Sequence, residues 1–396
     1  MNSTPSSSLY PLRIAVVGCG ILAHATHLPN ILANDQCRLA VCCDTDEKIL
    51  RECREKFGAP HTTRDFREAV NRPDVDAIVL ATTEHFRVPV VEAAAKAGKP
   101  VYTEKPLAAS WEDSCRIRDL VVNSGIPFCV GHNRRCSPAM VEAQRIFSEH
   151  MRDPKPCLWR FNREGEERID LGASDGVAGM SIRINDDWHS WKAVHMGGQN
   201  AEIGLLLSEL THFVDIACWF MQSEPLDVMT MSTSVLQHQV TIRFAGGQLA
   251  SIMSNANGSF GYPKELYEAM GHGAVVAVDH MLEIRTAGIE GAPLHKTYPM
   301  KGDRHPNVGT EGGLLGWLKK KREACGDAEA SGNPLLSFAA EPDKGHSRML
   351  SEFVREIRGE RGPVSPVTDG LRATQICFAA VKSLREERIV RLEEIK

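Results

Sequence analysis

Arg13-Ile14-Ala15-Val16-Val17-Gly18-Cys19-Gly20-Ile21-Leu22-Ala23 is the stretch on which the fold turns. An apolar run from Leu12 to Val17 feeds straight into Gly18-Cys19-Gly20, and helical residues follow. Gly18 permits a tight turn out of a strand, and Gly20 lets the backbone approach a pyrophosphate. The N–H groups and dipole of the next helix then hold the anionic charge. Ile21 and Leu22 continue this cradle on the cofactor side, and Ala23 stands where a third glycine is usual, a tolerated replacement. Asp44 ends the next apolar run, 24 residues after Gly20, slightly beyond the usual spacing of about 20. A carboxylate there accepts hydrogen bonds from an adenosine ribose and repels a 2′-phosphate. The reading is therefore NAD, with NADP disfavoured. The competing reading, turn glycines and a surface aspartate, is opposed by the strand–turn–helix context.

Outward from this stretch, strands and helices alternate. Leu39–Cys43, Ala77–Ala81, Pro100–Tyr102 and Phe128–Val130 read as short apolar strands. Leu28–Leu32, Glu47–Phe57, Val88–Ala97 and Trp111–Asn123 read as helices. That alternation predicts a doubly wound parallel sheet, a Rossmann fold. After residue 134 the pattern changes. Met140–His150 and Leu205–Met221 read as helices. Val228–Leu236, Gln239–Phe244, Gln248–Asn255, Glu265–Gly271, Ala274–Val278 and Met281–Thr286 read as closely spaced strands. Gly246-Gly247 between two of them is a hairpin signal. This predicts a second α/β domain with a large open, mostly antiparallel sheet. Gly326–Lys344 reads as an exposed loop, and Ser347–Arg358 and Gly370–Glu386 as closing helices. The domain reading is a disordered tail over 1–10, a dinucleotide-binding domain over 11–133, and a substrate-binding and oligomerisation domain over 134–396. The closing helices occupy about 343–396.

A length of 396 residues suits two domains, and 42% hydrophobic with 24% charged residues suits a globular protein. Net charge is −5, which argues against a nucleic-acid partner. No apolar run reaches the roughly 18 residues of a membrane span, and the serine-rich start lacks the pattern of a secretory signal. The expected setting is the cytoplasm. The basic run Lys319–Arg322 reads as a solvated helix face. Twelve cysteines show no C-x-x-C and no zinc-finger spacing. They read as buried free thiols in a reducing compartment, with no metal expected.

Further motifs follow in order: Ala81-Thr82-Thr83-Glu84-His85, Ala97-Gly98-Lys99-Pro100-Val101-Tyr102-Thr103-Glu104-Lys105-Pro106, Gly131-His132-Asn133-Arg134-Arg135 with Pro138, Glu209-Leu210-Thr211-His212-Phe213-Val214-Asp215, and Asp343-Lys344-Gly345-His346. With the glycine cradle, this ordered set resembles the glucose–fructose oxidoreductase, inositol dehydrogenase and rhizopine-catabolism (Gfo/Idh/MocA) family, from about Leu12 to Val390. The resemblance implies redox chemistry at a secondary hydroxyl or ketone of a sugar, cyclitol or derivative, and a homo-oligomer, a dimer or tetramer. It implies that Lys105 is the active-site lysine, Glu104 its cofactor-side partner and His212 the catalytic histidine, and that Thr82, His85 and Asn133 border the cofactor. One departure stands out. Many members carry Asp four residues before that histidine; here that position is Ser208, and the carboxylate is Glu209. On a helix both spacings share a face with His212.

These residue types suit the chemistry. Oxidising a carbinol removes a hydride and a proton. His212 is the natural base because imidazole titrates near neutral pH. Lys105, disfavoured as an ammonium beside an oxidised nicotinamide, shares the proton or holds the oxygen. Glu209 orients His212 or binds a neighbouring hydroxyl. Each has a plainer alternative: a surface lysine before a turn proline, a satisfied core histidine, a solvated glutamate. Asp215 reads as structural. In Asp186-Asp187-Trp188-His189-Ser190-Trp191-Lys192, His189 and Trp191 are candidates for sugar binding, against an aromatic loop anchor. Arg135 binds an acidic substrate group or the Rossmann backbone; the sequence leaves both open. Two other functions compete with a dehydrogenase: a glycoside-cleaving enzyme that retains NAD for transient oxidation, and a non-catalytic dinucleotide-binding sensor. Retention of both Lys105 and His212 counts against the sensor.

Overall fold

The computed structural model describes residues 10–154, 177–187, 204–300, 313–332 and 341–396. The chain falls into two compact units. One combines the chain up to Arg135 with residues 345–375 and Lys396; the other comprises 136–344 and 376–395.

The first unit is built on six parallel strands: β1 (Leu12–Val17), β2 (Cys37–Cys43), β3 (His61–Thr63), β4 (Ala77–Leu80), β5 (Val101–Thr103) and β6 (Phe128–Val130). Their order is β3-β2-β1-β4-β5-β6, and every pairing is parallel. The strand order reverses between β1 and β4, and ligands of such sheets bind at the strands' carboxyl ends at that point. Near-continuous apolar strands suit burial on both faces: all four residues of β4 are buried, as are Ile14 to Val17 of β1. Local chemistry bounds the helices. Asp46 caps helix Glu47–Phe57 by accepting the Lys48 N–H at 2.7 Å, and Gly58 ends it in a left-handed conformation. Ser110 caps Trp111–Ser124 in the same way, through the Asp113 N–H. The sequence reading missed β3, whose three residues carry no apolar run.

The expectation that all the closing residues serve the second domain needs correction. Helix His346–Ile357 belongs to the first unit, and Val367–Glu386 contributes residues to both. The reason lies at β6, the edge of the parallel sheet. Its outward N–H groups need acceptors, and Glu356 takes that of Phe128 at 3.2 Å while the Ser365 carbonyl takes that of Val130 at 2.9 Å. Phe353 packs against Tyr102, with ring centroids 5.9 Å apart, and Asn34 donates to Ser351 at 3.1 Å.

The second unit holds a nine-stranded sheet of β7 (Gly179–Asn185), β8 (Pro225–Ser234), β9 (Gln237–Phe244), β10 (Leu249–Asn255), β11 (Glu265–Gly271), β12 (Ala274–Asp279), β13 (Glu283–Ala287), β14 (His295–Thr297) and β15 (Val390–Arg391). The order is β14-β13-β12-β11-β7-β10-β9-β8-β15. All pairs are antiparallel except β7 with β10. The predicted strands are present; β7, β14 and β15 were missed. β7 alternates cleanly, with Met180, Ile182 and Ile184 buried, and Asp175-Gly176 just before it is a turn signal that the sequence reading passes over. Helix Leu210–Met221 packs in this unit's core, with Phe213 stacked on Tyr267 at 6.2 Å. Gly204–Met221 is long and apolar enough by composition to cross a membrane, but 83% of it is buried within the protein, as in a core helix.

Two readings of the later chain change. Gly326 to Ser331, expected as loop, lie in helix Gly313–Ser331; residues 333–340 lie outside the described residues. Buried Trp317 anchors this helix, and Lys321 of the supposedly solvated basic face is buried too, paired with Glu341 at 3.0 Å.

Candidate functional site

The first unit forms the cradle from backbone. Gly18 has φ +85°, and a Cβ there would stand 2.5 Å from the Thr82 nitrogen and 2.7 Å from the Ala81 carbonyl carbon. Only glycine allows the turn after β1 to approach the turn after β4 so closely. A Cβ on Gly20, by contrast, would meet nothing within 4 Å. The space above the turn is open at the strands' carboxyl ends. Ile21 and Leu22 begin the following helix, 78% and 40% exposed. Asp44 holds the turn: one carboxylate oxygen accepts the Cys19 N–H at 2.8 Å, the other the Asp46 N–H at 3.0 Å. Each oxygen keeps a lone pair for a further donor. The buried Thr82 hydroxyl oxygen has no hydrogen-bond partner. Open space over Gly20, an orphaned hydroxyl and an acceptor at the end of β2 fit a dinucleotide.

Beyond β5, Glu104 and Lys105 are held by a residue the sequence reading passed over. Buried Arg87 donates to the carbonyls of Thr82 and Lys105, at 3.1 and 3.3 Å, and also to those of Glu104 and Pro106. One planar guanidinium thus fixes the loop before and after Lys105. Burial lowers the Arg87 pKa to about 10, against support from Glu104 and Glu84. The Lys105–Pro106 peptide is cis, and Lys105 is half-buried. Glu104 is buried and bonded to His27 Nε2 at 2.9 Å. Burial alone would raise its pKa, but the His27 hydrogen bond and charge, with His346 and Lys105, hold it down to about 2. Gly131 leaves room for this carboxylate; a Cβ there would sit 3.1 Å from Glu104 Oε2. His27 is carried by the wide π turn Ala23–His27 that follows the cradle. A signal for Arg87 existed, a basic residue inside an apolar helix, but its four acceptors are tertiary.

The other cofactor-side candidates of this unit vary. His85 is exposed on the short turn Glu84–Phe86, and Asn133 is buried at the start of Asn133–Cys136. Arg135 donates to Asp369 at 2.7 Å and to the Val364 carbonyl at 3.1 Å.

In the second unit, Glu209 joins helix Gly204–Ser208 to helix Leu210–Met221. Its carbonyl accepts the His212 N–H at 3.2 Å, and both residues are buried. Ser208, which holds the family's usual carboxylate position, donates its hydroxyl to the Gly204 carbonyl at 2.7 Å. Lys264 is the residue missed here. Its buried ammonium lies 2.9 Å from Asp186 and 3.3 Å from Glu209. One cation bridging two buried carboxylates fixes Glu209 in place. The Lys264 N–H donates to His280 Nδ1 at 3.1 Å. Burial, then the charge of Lys344, lowers the His280 pKa to about 3. Asp215 is buried in the helix. His189 and Trp191 lie outside the described residues. The first unit thus gathers Gly18, Gly20, Asp44, Thr82, Glu104 and Lys105; the second gathers Glu209, His212, Asp186 and Lys264.

Comparison with known proteins bears on the fold and on the first unit. Residues 12–132 match the Gfo/Idh/MocA family model, described as an oxidoreductase family, NAD-binding Rossmann fold. Myo-inositol 2-dehydrogenase of Thermotoga maritima is 24% identical over 395 residues, covering 97% of this chain and 99% of that protein. Among solved structures, levoglucosan dehydrogenase in complex with NADH has a TM-score of 0.70 at 20% identity, covering 96% of this chain and 99% of that one. Apo scyllo-inositol dehydrogenase from Lactobacillus casei gives 0.68 at 17% identity over 97% and 99%; these structural likenesses bear on the fold. Cradle, sheet order and family model converge on residues 12–132: this segment matches the Gfo/Idh/MocA oxidoreductase family and has its NAD-binding Rossmann fold.

Proposed function

We propose that this chain is an NAD-dependent dehydrogenase or reductase acting on a secondary hydroxyl or ketone of a sugar, cyclitol or related polyol. The observation that carries the reading is Lys105, fixed by Arg87 at the carboxyl end of β5 on the edge that bears the cradle. Relatives named for inositol and levoglucosan support the substrate class. The bound nicotinamide supplies the hydride acceptor. The chain's own residues manage the rest. His212 takes the carbinol proton, and Lys105 holds the reacting oxygen. Glu209, fixed by Lys264, binds an adjacent hydroxyl or orients His212. Asp44, already an acceptor at the end of β2, selects NAD over NADP by repelling a 2′-phosphate. The reading extends to a cytoplasmic homo-oligomer joined through the large sheet. Met231, Leu249, Met253 and Met270 stand 43–64% exposed on its strands, and apolar side chains so exposed on one sheet support an interface there.

A screen of polyols and sugar acids with NAD tests the function. NADH released in proportion to substrate is the expected result. NAD retained through turnover with glycoside cleavage would replace the reading, and no turnover with any polyol, sugar acid or ketone would overturn it. Light scattering at micromolar protein should show an oligomer that Met253→Glu weakens; a wild-type monomer would remove that part.

A further inference from the structure

Three cysteines that cofactor binding does not consume meet in the first unit. Cys19 is the middle residue of Gly18-Cys19-Gly20, Cys42 lies on β2 and Cys53 on helix Glu47–Phe57. Each is 0% exposed, and their sulfur atoms all lie within 4.8 Å of one another. Metal–thiolate bonds of about 2.3 Å in a tetrahedral or trigonal site set sulfurs roughly 4 Å apart. The trio therefore has nearly the spacing of three corners of such a site. No motif announces it, because a loop, a strand and a helix bring the thiols together only when the sheet forms.

We propose that Cys19, Cys42 and Cys53 form a three-thiolate site for a soft d10 cation of the zinc or copper(I) class. Thiolates select such ions, and in a reducing compartment grouped cysteines serve as ligands more often than as disulfides. Binding of such a cation would displace the thiol protons. His24 borders the trio: its Nδ1 lies 2.7 Å from the Cys19 carbonyl oxygen, and its Nε2 faces Glu52 Oε2 at 3.8 Å. His24 stands outside the 4.8 Å group. The three sulfurs define the site, and a side-chain movement would make His24 the fourth donor. An ion here would clamp the cofactor turn to β2 and the next helix.

Cobalt(II), a coloured stand-in for zinc, tests this on the full-length, reduced protein without oxygen. One equivalent should produce sulfur-to-cobalt charge-transfer absorption that zinc displaces, and should protect three thiols from a thiol reagent. Cys42→Ser and Cys53→Ser should each abolish the band. Cys325→Ser, at an exposed cysteine away from the trio, should leave it unchanged. NADH binding reports that each variant is folded. If the serine variants fail to fold, peptide mapping of the wild-type thiols that metal protects decides the matter. Absence of the band from folded wild-type protein, its survival in folded Cys42→Ser or Cys53→Ser, protection of other cysteines, or a disulfide within the trio that forms without metal uptake would overturn the proposal.

Discussion

The two units solve the problem of holding polar groups in opposite ways. In the first, the cradle is made of backbone, shaped by missing side chains at Gly18 and Gly20 and tied by one carboxylate, Asp44. In the second, the candidate site is made of side chains, with Lys264 buried between Asp186 and Glu209 next to His212. A backbone site is written in contiguous residues, because a turn is local. A side-chain site is assembled from distant ones, and its stability depends on every charge keeping its partner. The first kind tolerates change around it and fails when a Cβ enters; the second fails when one charge is removed.

The largest test of this contrast is catalytic. Lys105→Met and His212→Ala should each lower turnover by roughly 10²-fold or more, the scale of a lost proton-transfer group, while NADH binding measured by fluorescence persists. The double variant should be far less than multiplicatively worse, because both are assigned to one proton and one oxygen. Near-normal turnover of His212→Ala between about pH 6 and 9 would pass the base role to Glu209.

Removing the shared cation comes next. Lys264→Met leaves Asp186 and Glu209 buried without it, a loss of about 3 kcal/mol or more. Urea unfolding should show this, whereas Asp44→Ala in the backbone-made unit should shift the midpoint little. Equal losses for the two variants would erase the contrast.

Acid should separate the units further. The His280 pKa falls from 6.5 to about 3 in the folded chain, first through burial. The unfolded chain then binds the proton first, so this stabilisation is complete above pH 6.5 and is lost as pH falls towards 3. Glu104, lowered from 4.5 to about 2 against its burial by His27, contributes above pH 4.5 and loses that contribution as pH falls towards 2. Stability measured from pH 7 to 5 should therefore decline less in His280→Gln than in wild type, while Glu104→Gln should keep the wild-type slope over that window.

The smallest expected effect is on cofactor choice. Asp44→Ala should narrow the preference for NAD over NADP by about tenfold, the scale of one partly screened charge repulsion. Tight NADP binding by the intact protein would show that Asp44 serves only to hold Cys19 and Asp46.

Local chemistry made much of this protein readable from its residues alone. Strand β1, the glycine turn, Asp44 and the run through Glu104-Lys105-Pro106 lie within short segments, where apolar periodicity and glycine's freedom act directly. The alternating β-rich second half was legible for the same reason. Tertiary packing decided the rest. Arg135 gained its partner Asp369 from 234 residues away, and the edge strand β6 drew residues 345–375 into the first unit to satisfy its N–H groups. Arg87 became the clamp on the Lys105 loop only when β4 and β5 lay side by side. Lys264 met Glu209 across 55 residues, and three thiols with no shared motif converged behind Gly18. A buried charge or thiol takes its meaning from what neutralises or ligates it, and that partner is chosen by the packed fold, not by neighbours along the chain.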